Sequence, residues 1–114
     1  MSILQDLTAA LTPLGYPMES GVFSGEAPSE YLVLVPLSDS YGLHADNAPR
    51  IDVEEVRLSL FCKGNYLTMK KAVMNALLAA DFTITARQYI GFENESGYHH
   101  YAVDVAKHFE LEEQ

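Results

Sequence analysis

The sequence has little of three features that would each indicate a particular class of protein. Its 114 residues include one cysteine, Cys62, so no disulfide can form within the chain. No apolar run approaches the roughly 20 residues that a membrane-spanning helix requires. The first six residues lack the basic flank of a signal peptide, and polar residues soon follow. We therefore expect a protein of a reducing compartment, the cytoplasm by default, with no membrane partner.

Positive charge is also scarce, and it is unevenly distributed. The chain has 7 Lys and Arg residues against 16 Asp and Glu residues, and none of the 7 precedes Arg50. The first 49 residues hold six carboxylates and carry a net charge of −6, which leaves −3 for the rest of the −9 chain. Since Lys and Arg side chains supply most of the affinity of proteins for nucleic acids, we expect no specific nucleic-acid binding. An acidic channel would let DNA slide through without binding it.

The periodicity of apolar residues predicts an alternation of helices and strands within one domain. The chain is 48% apolar and long enough for a single core, so we expect residues 1–114 to form one domain. The helices are predicted at 3–12 and 66–80, and the strands at 18–23, 31–37, 51–63, 83–92 and 98–109. The order α-β-β-β-α-β-β is typical of an α+β two-layer sandwich. We expect a mostly antiparallel sheet of about four or five strands, with two helices on one face.

Turn and capping residues mark the ends of several of these elements. Pro13 and Gly15 stop the first helix, and Asn65 is the predicted N-cap of the second. Residues 93–97 read Glu-Asn-Glu-Ser-Gly, and such a polar connection closed by glycine is typical of a hairpin. Pro36 indicates that the second strand ends there or lies at a sheet edge.

The segment between the second and third strands is unusually long. Residues 38–50 are predicted to form a projecting loop of about thirteen residues, and loops of that length are commonly functional. Residues 110–114 are predicted to be an acidic, frayed tail. We expect the loop and the less apolar face of the following strand to contact a partner or another copy of the chain. The candidate contact residues are Tyr41, His44, Arg50, Glu54 and Arg57.

Histidine and carboxylate side chains raise the question of a metal site. His100, Asp104 and His108 share one face of the last strand, but residues four apart on a strand are separated by roughly 13 Å. Zinc requires each ligand atom at about 2 Å, so neighbours in that row cannot share an ion. A site would need ligands from elsewhere, such as His44 with His99 or His100. We predict no metal and no other cofactor.

The sequence contains no motif of covalent catalysis. Cys62 lies in an alternating strand, where a buried and unreactive thiol is the usual finding. The signatures of phosphate binding, acyl transfer and metalloproteases are missing, so we predict that the protein is not an enzyme. Two interpretations of the aromatic run at 98–101 stay open: an exposed binding patch, or a core Tyr101 with its neighbours at the rim of the hairpin. We favour the second.

The closing hairpin carries a resemblance to a known family. Residues 92–100 read Phe-Glu-Asn-Glu-Ser-Gly-Tyr-His-His. They resemble the acidic, glycine-turned hairpin and the following tyrosine–histidine pair of the small tail-terminator, or tail-to-head joining, proteins of long-tailed bacteriophages and prophages. The likeness covers most of the chain through the order of the N-terminal helix, the strand 53–62, the helix 66–80 and the hairpin 87–105. The segment 38–50 has no counterpart that can be aligned, so no contact residue there is carried over.

The resemblance implies a structural component of a virion, without catalysis or cofactor. Proteins of this family assemble as a ring, typically a hexamer, on the head-proximal end of the tail tube. The ring stops polymerisation of the tube and docks to the head connector. The implied partners are other copies of the chain, the tail tube protein and the head–tail connector, and DNA would pass through the lumen. The implied location is the virion, which is assembled in the cytoplasm of the host bacterium.

Three alternatives to this function stay open. Head-completion and stopper proteins of the phage neck have a similar size and place. A small regulatory or ligand-binding α+β module would use residues 38–50 as a lid over a deep pocket. A metal hydrolase would use His44 with His99 or His100.

Overall fold

The computed structural model describes residues 3–20, 28–41, 44–45, 48–49 and 51–110. The molecule is elongated, with principal extents of 54 × 25 × 24 Å. Its helices are α1 (Ile3–Leu11) and α2 (Tyr66–Ala79), and a short 3-10 helix (Thr12–Leu14) follows α1. Its strands are β1 (Met18–Ser20), β2 (Glu30–Tyr41), β3 (His44–Ala45), β4 (Ala48–Pro49), β5 (Ile51–Cys62), β6 (Thr83–Phe92) and β7 (His99–Glu110).

Four strand pairings build one five-stranded sheet in the order β1-β2-β5-β7-β6, and β3 pairs with β4 in a separate two-stranded ladder. β1 runs parallel to β2, and every other neighbouring pair in the large sheet is antiparallel. The long ladders that β5 forms with β2 and with β7 place β5 at the centre. The predicted α+β two-layer architecture with a mostly antiparallel sheet is confirmed.

Both helices pack against the same face of this sheet, as predicted. Even-numbered residues of β5 from Val56 to Cys62 are buried against the helices, since successive side chains of a strand point to opposite faces. Each helix contributes residues spaced four apart, which lie on one side of a helix. The largest fully buried side chains of this core are Leu7, Leu11, Leu32, Val56, Leu58, Leu60, Cys62, Met69, Val73, Leu77, Val103 and Val105.

Local sequence determines where the helices begin and end. α2 begins after Asn65, whose side-chain oxygen accepts a hydrogen bond from the Leu67 N–H at 3.1 Å, so the predicted N-cap is confirmed. α1 ends at Leu11, one residue earlier than predicted, because the chain tightens there into the 3-10 helix that contains Pro13. Gly15 closes this turn with a φ of 82°, a left-handed conformation that glycine adopts without steric strain.

The prediction of a long loop at 38–50 is wrong for much of its length. β2 continues to Tyr41, and its last residues pair with β5 as far as Tyr41 opposite Asp52. Pro36 does not end the strand, because a register shift at Leu37 restores the ladder beyond it. The short strands β3 and β4 occupy part of the remaining segment. Residues 38–41 therefore extend the β2–β5 ladder, residues 44–45 and 48–49 form the separate ladder, and the other five lie outside the described residues.

The boundaries of the terminal elements differ from the prediction by smaller amounts. The predicted strand 18–23 begins as expected at Met18 and is described as far as Ser20, and residues 21–23 lie outside the described residues. β6 has the predicted bounds, and β7 runs to Glu110 opposite Ile51. The first residue of the predicted tail 110–114 is therefore in a strand, and the other four lie outside the described residues.

The face of the sheet opposite the helices is called the open face below. Its middle row crosses the strands at Val33, Ser59 and Ala102, which are 7%, 7% and 3% exposed. Because residues two apart on a strand share a face, Arg57 and Phe61 flank Ser59 on this face. The centre of the open face is therefore buried, whereas Val35 on β2 is 37% exposed.

Candidate assembly surfaces

The structure separates the five candidate contact residues of the sequence analysis. Tyr41 is the last residue of β2, and His44 is the first residue of β3. Arg50 lies outside the described residues. Glu54 and Arg57 lie on opposite faces of β5, and each makes contacts within the chain. A role for these five residues in contacts between chains stays a prediction.

Glu54 lies at the N-terminus of α1. Its Oε1 accepts a hydrogen bond from the Ile3 N–H at 3.0 Å. The first N–H groups of a helix have no partner within the helix and carry partial positive charge, so a carboxylate placed there stabilises the helix. Lys107, directly opposite Glu54 on β7, holds the same helix through a 3.2 Å ion pair with Asp6. Together these contacts fix α1 against the sheet.

Arg57 forms a two-point ion pair with Asp104 on the open face. Its Nε and Nη2 donate to the two carboxylate oxygens of Asp104 at 2.8 and 3.1 Å. The two residues lie directly opposite each other on β5 and β7. The Asp104 side chain is 12% exposed and that of Arg57 is 42% exposed, so the carboxylate is mostly withdrawn from water while the guanidinium keeps part of its hydration. The hydrogen bond and the negative charge of Asp104 raise the pKa of Arg57.

A chain of polar contacts continues from this pair across the sheet. The Thr85 hydroxyl lies 2.7 Å from Glu55 Oε2 and 3.2 Å from the backbone oxygen of Asp104. Thr85 is the extra residue at a register shift of β6, and such a bulge re-aims a side chain. The Ser38 hydroxyl lies 3.4 Å from the other carboxylate oxygen of Glu55. These contacts connect β2, β5, β7 and β6 on the open face.

An aromatic cluster covers the end of the open face nearest the β6–β7 turn. Tyr31 stacks on Phe61 and Phe61 on His100, with ring centroids 4.8 and 4.3 Å apart. Tyr98 meets the rings of Tyr31 and Phe61 edge-on at 5.3 and 6.2 Å, and its hydroxyl donates to the backbone oxygen of Pro28. Such pairs contribute about 0.5–1.5 kcal/mol beyond the area that they bury. The cluster therefore stabilises this end of the face by ring packing.

Burial in this cluster changes the acid–base behaviour of two of its members. Loss of hydration is the main cause that lowers the pKa of His100, while Glu93 opposes the shift and Arg57 adds to it. Loss of hydration also raises the pKa of Tyr31, with further contributions from Tyr98 and Glu93. Both shifts favour the neutral form of the group, because removal from water penalises charge.

A second aromatic cluster lies on the helix side of the same end of the sheet. The ring of Tyr66, the first residue of α2, lies 5.1 Å from the ring of Tyr89 and 5.2 Å from that of His99. The Tyr89 hydroxyl is 2.9 Å from His99 Nδ1, and the rings of Phe92 and His99 are 4.8 Å apart. This cluster joins the start of α2 to the outer strand β6.

The run at 98–101 is thus divided between the two faces of the sheet. The prediction that Tyr101 is a core residue is confirmed, since it is 6% exposed and packs in the core beneath the helices. Tyr98 is also 6% exposed, so it is buried among the open-face rings and does not lie at the rim as expected. His99 and His100 point to opposite faces, as the alternation of a strand requires.

Cys62 is buried, as predicted, with an exposure of 1%. Its Sγ lies 3.6 Å from Glu30 Oε2. Burial is the main cause that raises the pKa of the Cys62 thiol. The charge of Glu30 raises this pKa further, and a backbone hydrogen bond from Gly64 lowers it. Because the thiolate is the nucleophilic form, these surroundings make Cys62 unreactive.

The described residues contain no group of three or more His, Cys, Asp or Glu side chains that is placed to hold a metal ion. His100 and Asp104 share the open face of β7, and Asp104 is engaged by Arg57. His99 lies on the other face of β7. A metal site that included His44 could therefore use either His99 or His100, but not both.

A shallow groove of about 280 Å³, the α2–β6 groove, lies between the outer side of α2 and β6. A second depression of about 430 Å³ adjoins it along α2. Three of the seven basic residues of the chain lie in the α2–β6 groove, and its described lining contains no Asp or Glu. The lining residues are Leu67, Lys70, Lys71, Met74, Asn75 and Arg87.

β6 forms one edge of the sheet, since β7 is its single neighbour in the described strand order. Tyr89, Ile90 and Phe92 near its end are 41%, 46% and 49% exposed. Register shifts at Thr85 and Ile90 interrupt the strand, and such irregularities hinder the addition of another strand. The edge therefore offers side-chain contacts more readily than a new backbone ladder.

Neither this groove nor the exposed aromatic edge was predicted from the sequence. The signal was present in part, because Tyr89, Ile90 and Phe92 break the strict alternation of a half-buried strand. Lys70 and Lys71 are close in sequence, but Arg87 is far from them along the chain. The sequence does not reveal that β6 is the outermost strand or that it lies beside α2.

Comparison of the sequence with profiles of known protein families finds no match, and comparison with curated proteins finds none either. Within the described part of the chain, neither helix has the length and apolar character needed to cross a membrane. The function of the chain must therefore be argued from the surfaces above and from the resemblance of the 92–100 segment.

Proposed function

We propose that the chain is a structural subunit that assembles head to tail into a ring, a hexamer, at the head-proximal end of a phage or prophage tail. There it ends polymerisation of the tail tube and joins the tail to the head connector. Its partners are other copies of itself, the tail tube protein and the connector, and it acts in the virion. The resemblance of the 92–100 hairpin motivates this role.

The observation that best supports assembly is the exposed edge of the sheet at β6. Proteins usually protect a long edge strand by charge, bulges or a cover. β6 has bulges, but Tyr89, Ile90 and Phe92 still expose 41–49% of their surface beside it. Aromatic residues are enriched in the buried centres of protein interfaces. A neighbouring subunit would remove this apolar surface from water.

Ring formation requires two different surfaces on each subunit. A head-to-tail contact joins one surface of a subunit to another surface of the next, and it closes into a ring when the rotation between subunits allows. The sheet has two distinct edges, β1–β2 and β6, at opposite sides. The net charge of −9 is compatible with a lumen through which DNA passes without binding.

Deletion of the gene from the phage or prophage that encodes it is the most direct test. We expect tails that are not joined to heads, with tubes of irregular length, in electron micrographs of lysates. Tubes of normal length that fail to join to heads would instead indicate a head-completion or stopper protein. Infectious virions assembled without the protein, or a gene outside any phage genome, would contradict the proposal.

Purified protein provides a second test. We expect it to bind isolated tail tubes at one end, seen by electron microscopy as a cap. Light scattering at low and high protein concentration would show whether a ring forms without the tube. A strict monomer that also fails to bind tubes would refute the proposal.

A further inference from the structure

The two edges of the sheet differ in the sign of their charge. The strands of the β1–β2 edge contain three acidic residues, Glu19, Glu30 and Asp39, and no Lys or Arg. The β6 edge at the other side of the sheet is flanked by the α2–β6 groove, where Lys70, Lys71 and Arg87 lie. The strand order therefore places an acidic surface and a basic surface at opposite sides of one subunit.

Contacts within the described part of the chain leave the charges of the groove and of Glu19 uncompensated. Lys70 lies 4.8 Å from the centre of the Tyr101 ring, an attraction that leaves its charge uncompensated. Among the described residues, no carboxylate forms an ion pair with Lys71 or Arg87, and no cation forms one with Glu19 of β1. These groups contrast with Arg57, which the two-point pair with Asp104 already occupies.

The two edges of one subunit cannot neutralise each other. Four strand spacings separate β1 from β6 in the order β1-β2-β5-β7-β6, which at about 4.8 Å each is roughly 19 Å. An ion pair requires its charged atoms within about 4 Å. The acidic edge can therefore meet a basic groove only on another molecule.

We propose that the α2–β6 groove of one copy of the chain binds the acidic β1–β2 edge of a second copy, with Lys70, Lys71 and Arg87 facing Glu19 of that edge. The biological role of this contact rests on the head-to-tail ring proposed above. The contact joins unlike surfaces, so each bound copy leaves one basic groove and one acidic edge free for the next. The α2–β6 groove thus accounts for the direction of assembly.

The exposed aromatic residues beside the groove supply the apolar part of the contact. Tyr89 packs on Tyr66 of α2, and Phe92 packs on His99, so both rings are held by neighbours before binding. Rings held in this way lose little side-chain freedom on association. Charge complementarity directs the approach of two copies, and a few buried aromatic residues typically supply most of the affinity.

A charge-reversal series with sedimentation velocity tests this inference. At low salt and up to about 1 mM protein, we expect concentration-dependent association that weakens as salt is added. Lys71→Glu and Arg87→Glu should each weaken it about tenfold. Lys63→Glu is the matched control, because it makes the same change in net charge at an exposed position near Tyr98, outside the groove. Far-UV circular dichroism would confirm that each variant is folded.

A charge swap identifies the two surfaces that meet. Glu19→Lys alone should weaken association, and an equimolar mixture of Glu19→Lys and Lys71→Glu proteins should associate more strongly than either protein alone. In the mixture, each reversed groove can meet a reversed edge. Phe92→Ala should also weaken association, because it removes an exposed ring and leaves the charges unchanged.

Several results would overturn the inference. They are the absence of association at about 1 mM in low salt, groove variants that behave like Lys63→Glu, and a charge swap without recovery. Groove-dependent association by a protein that does not bind tail tubes would refute the tail function and leave the inference intact. Tube binding and ring formation that tolerate all groove variants would refute the inference and leave the function intact.

Discussion

The two faces of the sheet are stabilised in different ways. The helix-covered face is built from aliphatic side chains that alternate along β5 and β7 and meet the buried residues of both helices. The open face has small residues at its centre, the Arg57–Asp104 pair beside them, and stacked rings at one end. One face therefore depends on apolar area removed from water, and the other on a few contacts with defined geometry.

This difference shows how a two-layer fold leaves surface for assembly. A helix layer on one face excludes water there without any partner. No described helix covers the open face or the β6 edge, where strand side chains pack on one another. Tyr89, Ile90 and Phe92 remain exposed there. The comparison predicts that substitutions on the helix-covered face reduce stability most, and that contacts of the open face have smaller and more specific effects.

The largest effect is expected from Leu58→Ala at the centre of the helix-covered face. Leu58 is 0% exposed, and removal of a buried leucine side chain costs about 2–5 kcal/mol of unfolding free energy. Urea unfolding followed by circular dichroism would measure it. Leu67→Ala is the control, because Leu67 is 55% exposed and a surface change alters stability by about 0.5 kcal/mol or less. Equal effects of the two substitutions would contradict the assignment of the core.

A smaller loss is expected on the open face from Asp104→Ala. This change removes both hydrogen bonds to Arg57, and we expect a loss of about 1–2 kcal/mol, limited by the partial exposure of the guanidinium. A double-mutant cycle with Arg57→Ala isolates the pair from its neighbours. Strictly additive effects of the two substitutions would show that the pair contributes nothing to stability.

Glu54→Gln tests the junction between α1 and the sheet. The substitution keeps the shape of the side chain but removes the negative charge beside the Ile3 N–H, so we expect a loss of about 0.5–1 kcal/mol. Asp52→Asn is the matched control, since it removes the same charge from the same face of β5, two residues away. A loss that is equal in both variants would indicate a general effect of net charge, not a contact with α1.

The smallest effect is a dependence of stability on pH that originates at His100. Its folded pKa is lowered from the ordinary value of 6.5, so on acidification the unfolded chain takes up the proton first. Stability is therefore full above about pH 6.5 and falls as the pH decreases through 6.5 toward the lower folded pKa. We expect His100→Gln to flatten this part of the curve, measured as unfolding free energy between about pH 8 and 5.5.

His108→Gln is the control for this measurement, because His108 lies on the same face of β7 and is exposed. The difference between the two variants isolates the contribution of His100. A curve that is equally steep in wild type and His100→Gln would place the titrating group elsewhere.

Much of the fold could be predicted from the local sequence pattern, but several contacts could not. The order of elements, the N-cap at Asn65 and the burial of Cys62 each depend on near neighbours in sequence, and each was predicted. The continuation of β2 past Pro36 was missed, because the ladder is restored by pairing with β5, which the local pattern does not contain.

On the candidate surfaces, too, contacts between distant segments could not be predicted from the local sequence. Glu54 was predicted to contact a partner because it lies on the strand beside the long segment 38–50, whereas the structure brings it to the Ile3 N–H. The sequence pattern does not predict that Arg87 lies beside Lys70 and Lys71. Their proximity depends on the pairing of β6 with β7, which places β6 next to α2. The prediction of contacts between chains at Tyr41, His44 and Arg50 stays to be tested.

By itself, the sequence determined the elements, the two sides of each strand and the acidic character of the first 49 residues, because periodicity and charge are properties of nearby residues. The tertiary structure decided which strand lies at each edge, which carboxylate meets Arg57, and that the basic groove lies across the sheet from the acidic edge. The physical reason is that strand order and register depend on pairing between distant segments, and that pairing minimises the free energy of the whole chain.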